Sequence, residues 1–354
     1  MGLWSESMRR VSLDSLTSDM VLAKSIYDNG NLILSAGVRN LSDYVERLLG
    51  YEIYSVYVED AISDGIHIPD ALREETRKKC KDILDNCFHV LVNQGGLQDS
   101  ALDEMVVAIM NDLLENPEVI VSMNDIGTKD DDTLIHSINT AVYAVLTGKH
   151  MGYNEHQLKE LAKGALFHDL GKILISSEIL LKNGKLTNDE FEDMKEHTVL
   201  GYETLCDRSN MSETAKIISL QHHERLDGSG YPKGLRGDEI HPFAKIVAIA
   251  DVYDALTAER CYRRSMSNYS AYSILKKDAG IKFDAKIFEV FMQNIAIYPN
   301  GAIVQLSDGT HGIVKQQNKD LKFRPIVRVI DDRDKQNIQL YDLNLKTSDI
   351  EIID

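Results

Sequence analysis

The sequence predicts a mainly α-helical protein, with a small α/β unit ahead of the helices and a small β-barrel or sheet behind them. Three observations carry this prediction. Apolar residues recur at helical spacing from about residue 69 to residue 297. Asn29-Gly30 and Asp308-Gly309 mark hairpin turns near the two ends. After Tyr298-Pro299 the apolar period switches to two.

Composition sets the outer limits. A chain of 354 residues, 43% apolar and 27% charged, buries a normal core and is neither disordered nor fibrous. A formal charge of −17 argues against a nucleic-acid polymer as partner, because a phosphate backbone calls for clustered Lys and Arg. The balance changes locally: from His222 to Arg264, seven Lys/Arg meet seven Asp/Glu, a neutral stretch able to hold a small anion. Cys80, Cys87, Cys206 and Cys261 form neither a metal-type pair nor a disulfide framework, so a reducing cytoplasm is expected. There is no run of 18 apolar residues, and the start MGLWSESMRR has no apolar secretory core, so no membrane insertion is expected. Its MGxxxS pattern matches a myristoylation signal, a motif short enough to arise by chance.

Residues 1–62 read as the α/β unit. MVLAKSIYDNGNLILSAG supplies a hairpin, LSDYVERLLG a short amphipathic helix, and IYSVYV a strand. Residues 63–125 read as a helical connector. Leu72, Cys80, Ile83 and Cys87 share one stripe, and Leu102, Met105, Val106, Ile109 and Leu113 share a second one beyond Gly95-Gly96. Residues 126–297 are helical almost throughout and carry the chemistry. Residues 298–354 alternate as short strands: AIVQLSDGTHGIV, RPIVRVI, IQLYDL and IEII. For both flanking units, packing and dimerisation are the plain expectation, and regulation or partner contact is the alternative.

Five helices each offer metal-type ligands. His136 lies beside the stripe Ile135, Ile138, Val142 and Val145, with Asp132 four residues earlier on the same face. Leu158, Leu161, Ala162, Ala165 and Leu166 bury a second helix that runs into His168-Asp169. Charge at the end of so apolar a helix is costly unless it is paired or bound to metal. His197 follows a capping box of Thr187 and Glu190. His222-His223 closes a helix capped by Ser212, and Asp251 falls on the face of Ala244, Val247, Ala248 and Ala255. One such residue alone is more often structural than a ligand; the ordered set is not. Imidazole plus carboxylate favours Fe, Mn or Zn over Ca or Mg. His67, His89, His150, His156, His241 and His311 lack this context and read as structural or surface residues.

HDLGK, then HHERLDGSGYPKGLRG, then AIADVYDALTAERCYRR resembles the HD-GYP branch of the HD phosphohydrolase superfamily, closely over residues 126–297. The resemblance implies a five-helix HD-type core and hydrolysis of a cyclic dinucleotide, chiefly cyclic di-GMP, to linear pGpG or GMP. By resemblance, His136, His168, Asp169 and Asp251 hold one metal. Asp169 bridges to a second, completed by His197 and His222 or His223. Lys172 faces the scissile phosphate, and Gly230, Tyr231 and Pro232 shape the nucleotide pocket with Asp254, Arg260 and Arg263. Cys261 stands where the family has proline in RPYR, which changes a backbone constraint but no ligand.

The expected chemistry is attack by a hydroxide that bridges two cations roughly 3.5–4 Å apart, which also neutralise the phosphate oxygens. Lys172 adds positive charge where negative charge develops. Two or three divalent ions, Fe or Mn, are expected; Asp132 is either a ligand of the third or a helix-start acid. The alternatives are a preference for 3′,3′-cyclic GMP-AMP, and a non-catalytic cyclic-dinucleotide sensor that works through the flanking units; a homodimer is compatible with each of these readings.

Overall fold

The computed structural model describes residues 7–28, 31–51, 53–93, 95–97, 99–115, 132–182, 184–258, 266–333 and 339–353. Asn29-Gly30, Arg260, Cys261 and Arg263 lie outside the described residues, as does the side chain of Asp132.

The first 60 residues hold β1 (Arg9–Ser12), β2 (Val21–Leu22), β3 (Ile26–Asp28), β4 (Asn31–Leu34), α1 (Val45–Gly50) and β5 (Ser55–Glu59). β5 is the centre of an antiparallel sheet in the order β1-β5-β2, with Val11 opposite Val56, while β3 and β4 pair by themselves. Val11, Leu22, Leu41, Leu48, Val56 and Val58 close a small apolar core that is separate from the main one.

Helices follow: α2 (Glu74–Val92), α3 (Asp99–Glu115), α4 (Asp132–His150), α5 (Glu155–Leu166), α6 (Ser177–Leu180), α7 (Asn188–Lys195), α8 (His197–Arg208), α9 (Glu213–Gln221), α10 (Pro242–Thr257), α11 (Asn268–Asp278) and α12 (Ala285–Gln293). Their starts are chemically marked. Asn154 and Gln157 form a capping box on α5, as do Thr187 and Glu190 on α7. Ser212 caps α9, and His241 accepts from the Phe243 amide ahead of α10. α4 is the central helix, packed by α5, α10, α2 and α12, and its residues 136–148 are buried on every face.

The capping box at Thr187 and the run FEDMKEHTVLGYETL behind it read as one helix in the sequence, but the helix breaks at Glu196. The His197 ring and the Thr198 hydroxyl bond to the carbonyls of Met194 and Lys195, which a continuous helix would have used itself. His197 is therefore the first residue of α8, and its ring is aimed by the end of α7.

The last strands are β6 (Ile303–Leu306), β7 (His311–Gln316), β8 (Ile326–Asp331), β9 (Gln339–Asn344) and β10 (Ile352–Ile353). They form an open antiparallel sheet, β10-β6-β7-β8-β9, so the barrel alternative is corrected to a sheet: its two edges do not pair. Val304, Leu306, Val314, Val327, Val329 and Leu345 share the main core with the helices, so this sheet closes one end of the helical body. It also grips the segment after β5. The Arg328 guanidinium donates to the carbonyls of Ile62 and Asp64, and the Asn300 amide donates to the carbonyl of His67 at 2.7 Å.

Candidate metal centre

The centre is assembled mostly at the ends of helices, with Asp251 from the interior of α10. His136 enters from the second turn of α4, and His168-Asp169 sits in the turn after α5. His197 opens α8, His222-His223 follows α9, and Asp251 projects from α10. Packing is close: a Cβ on Gly171 would lie 1.9 Å from the His197 carbonyl oxygen, so only glycine lets the segment after Asp169 touch α8. The Ser219 hydroxyl donates to the His168 carbonyl and fixes the same turn from α9.

Asp169 joins two clusters. Its Oδ2 is 3.5 Å from His168 Nε2 and 3.7 Å from His136 Nε2, and it also pairs with the Lys172 ammonium. Its Oδ1 is 3.5 Å from His197 Nε2 and 3.7 Å from His222 Nε2. Asp251 completes the first cluster, with Oδ1 3.1 Å from His136 Nε2 and 3.9 Å from His168 Nε2. His223 belongs with Asp169, His197 and His222, while its Nδ1 stands 3.8 Å from Asp251 Oδ2.

The ring orientations are set by their other nitrogens. His168 Nδ1 faces the Ala165 carbonyl at 2.7 Å, and His197 Nδ1 faces that of Met194 at 2.6 Å. His222 Nδ1 faces the carbonyls of Ile218 and Ser219 at 3.1 and 2.9 Å. Each Nδ1 therefore carries the hydrogen and leaves an Nε2 lone pair turned inward, the arrangement that orients metal-binding histidines.

Two atoms test the fit to metal. His168 Nε2 and Asp169 Oδ1 are fully buried with no hydrogen-bond partner. Such orphans cost roughly 1–3 kcal/mol each, more when charged. Ligands about 2.1 Å from one shared cation stand roughly 3.0–3.4 Å apart, close to the 3.5 and 3.7 Å separations around Asp169. The residues fit a pair of divalent ions: His136, His168, Asp169 and Asp251 for one, and Asp169, His197, His222 and His223 for the other.

Electrostatics agree with this. Burial alone would raise the Asp169 carboxyl, but Lys172 and His168 hold it well below the usual range. Burial opposes ionisation of Asp251 in the same way and is outweighed by the hydrogen bond to His136 and by His223. Burial pushes His168 and His197 down to about 4 and His223 well below its ordinary value, which keeps these rings neutral and ready to ligate. Burial pulls His136 down as well, yet its bonds to Asp251 and Asp254 prevail and lift it to about 9, so a cation held there displaces a proton from Nε2.

Some expected residues stand elsewhere, and others were missed. Asp254, expected in the nucleotide pocket, is 1% exposed. One of its oxygens takes the His136 Nδ1 hydrogen at 2.7 Å and the other accepts from the Asn139 amide at 3.0 Å. Its carboxylate thus stands behind a candidate ligand. Tyr231 borders the centre, and Gly230 packs on the backbone that follows His223. The Tyr231 ring lies 4.7 Å from that of His223, and a Cβ on Gly230 would strike the 223–225 backbone within 2.5 Å. Glu224, which carries no sequence signal beyond following two histidines, is buried. It accepts from the amides of Lys233 and Leu235 at 2.8 and 2.9 Å and so pins this loop.

Residues 113–287 match the family model described as an HD domain. A cyclic di-GMP phosphodiesterase of Pseudomonas aeruginosa is 32% identical over 226 residues, covering 64% of this chain and 54% of that protein. The cyclic di-GMP phosphodiesterase response regulator RpfG of Xanthomonas campestris is 36% identical, covering 63% of this chain and 59% of that protein. The chain thus spans little more than half the length of these relatives. In fold it is similar to an HDG"Y"P protein from Bdellovibrio bacteriovorus, with TM-score 0.51 and 16% identity over 80% of this chain and 98% of that one. Among the described residues, no helix is long and apolar enough to cross a membrane.

Proposed function

We propose, for a chain that belongs to the HD-domain family and carries its HD-GYP motifs, a metal-dependent phosphodiesterase that hydrolyses cyclic di-GMP to linear pGpG, with GMP as the product of a second round. One observation supports this above all others: Asp169 turns one carboxylate oxygen to each of two histidine-rich clusters. That is the geometry of a ligand shared by two cations. We assign Fe or Mn to the pair, because the donors mix imidazole with carboxylate. A third ion at Asp132 belongs to the same proposal.

Bound divalent ions supply positive charge and an activated water for in-line attack at phosphorus. The chain's own residues do the rest. Lys172, whose ammonium pairs with Asp169 and whose side chain is 26% exposed, meets a phosphate oxygen of the bound substrate. The loop from Gly228 to Leu235, held by Glu224, lays Tyr231 beside His223 as one wall of the nucleotide site. Arg260 and Arg263 complete the grip on phosphate or on a guanine edge.

The test is product chromatography with metal-loaded protein and cyclic di-GMP, run beside metal-stripped protein. Linear pGpG that forms only with metal is the expected result. Turnover by stripped protein, or no product from loaded protein, refutes the proposal, and higher kcat/KM on 3′,3′-cyclic GMP-AMP moves the substrate to the mixed dinucleotide.

A further inference from the structure

α7 is a helix with no buried residue, yet it carries a phenylalanine. Phe191 is 46% exposed, and its ring is not part of either apolar core. It stands edge-to-face with Tyr231, ring centres 6.2 Å apart at 82°. Tyr231 in turn lies against His223 at 4.7 Å and edge-on to His197 at 6.4 Å. Phe191 is therefore one aromatic ring removed from two candidate metal ligands. Lys195, one turn further along α7, sets its ammonium 5.0 Å from the Phe191 ring centre and 5.7 Å from that of Tyr231, while pairing with Glu192 at 2.6 Å.

A cap and a sequence break hold this helix in place. The Thr187–Glu190 capping box fixes its start, and its end aims His197 through the Met194 carbonyl. The exposed ring thus rides on the element that positions a ligand, so its distance from the metal centre is set rather than left to a loop.

We infer that Phe191 and Tyr231 form a stacking corner for one nucleobase of the substrate, with Lys195 beside it; this inference rests on the phosphodiesterase reading above. A base has an apolar face that gains by stacking on an aromatic ring, and each such stack is sequence-tolerant. The nucleotide whose phosphate sits at Asp169 and Lys172 then places its base against the open side of Phe191. Phe191 acts as a substrate-binding residue and contributes nothing to metal binding.

The experiment compares wild type, Phe191→Ala and Phe191→Trp, each metal-loaded, with cyclic di-GMP and with methyl p-nitrophenyl phosphate, a phosphodiester that has no nucleobase. Direct binding of cyclic di-GMP is measured by rapid mixing, before the metal-loaded protein turns it over. Phe191→Ala is expected to raise KM and weaken binding of cyclic di-GMP about tenfold. Phe191→Trp restores both, and metal content and turnover of the small diester stay unchanged in every variant. Unchanged cyclic di-GMP binding in Phe191→Ala, or an equal loss on both substrates, overturns the stack. Wild type that binds but never cleaves overturns the phosphodiesterase reading, while weaker binding by Phe191→Ala still upholds the stack. Wild type that binds no cyclic di-GMP overturns both.

Discussion

Asp254 stands directly behind His136: its Oδ2 takes the Nδ1 hydrogen at 2.7 Å, and the ring's Nε2 is left facing Asp251 and Asp169. Removing such a support typically weakens metal binding 10–100-fold. Asp254→Ala is therefore expected to lose metal from the His136–His168–Asp251 cluster by about that factor and to keep it at His197, His222 and His223. Metal titration followed by elemental analysis distinguishes this from a general loss, and a thermal melt checks that the fold survives.

Asp169→Asn keeps the size of the side chain but removes the shared charge. Both clusters are expected to release their metal, whereas His197→Ala should lower the content by only about one ion per chain. Metal counts after gel filtration decide it; a variant Asp169→Asn that keeps a full complement contradicts the bridging role.

Glu224 holds the loop before Leu235 through two charge-assisted hydrogen bonds to backbone amides. Bonds of this kind contribute about 1.5–3 kcal/mol each. Glu224→Ala is expected to raise KM for the cyclic dinucleotide with little change in metal content, and to speed amide exchange across residues 228–237. Hydrogen-exchange mass spectrometry reads the second effect directly.

Lys322 gives a pH-dependent expectation. Burial pushes its ammonium down to about 8 from 10.5. Between those two values the unfolded chain binds more protons than the folded one, so this residue's contribution to stability improves as pH rises through the window, and below it the cost is constant. Lys322→Met also removes a hydrogen bond to the Met292 carbonyl, so only the trend with pH counts. The melting temperature of Lys322→Met relative to wild type is expected to be higher at pH 7 than at pH 10. A difference independent of pH contradicts the burial argument.

The candidate ligands were legible because imidazoles and carboxylates on apolar helix faces are conspicuous. His136, Asp169 and Asp251 each need a reason to be buried. The role of Asp254 was less visible, although its i+3 spacing from Asp251 puts both carboxylates on one side of α10, with His136 between them. Glu224 left no trace, since bonds to loop amides have no sequence period. The break at Glu196 was hidden because capping by His197 and Thr198 depends on side-chain rotamers, which helical periodicity does not record. Closure of the C-terminal strands was undecidable from alternation alone: the same strands make a barrel or an open sheet, and the outcome turns on whether the short β10 finds β9.

The grip of Arg328 on the carbonyls of Ile62 and Asp64 bears on the order of assembly during synthesis. These partners are 266 and 264 residues apart in the chain. Closing so long a loop costs only slightly more than closing one half its length, but it cannot happen until β8 has left the ribosome. The helices from α2 to α12 have by then been translated and are free to fold through nearer neighbours. The carbonyls of Ile62 and Asp64 therefore gain these donors only once the terminal sheet has been synthesised, whereas Ile66 and Gly65 of the same segment are already within reach of Met8 and Ser7.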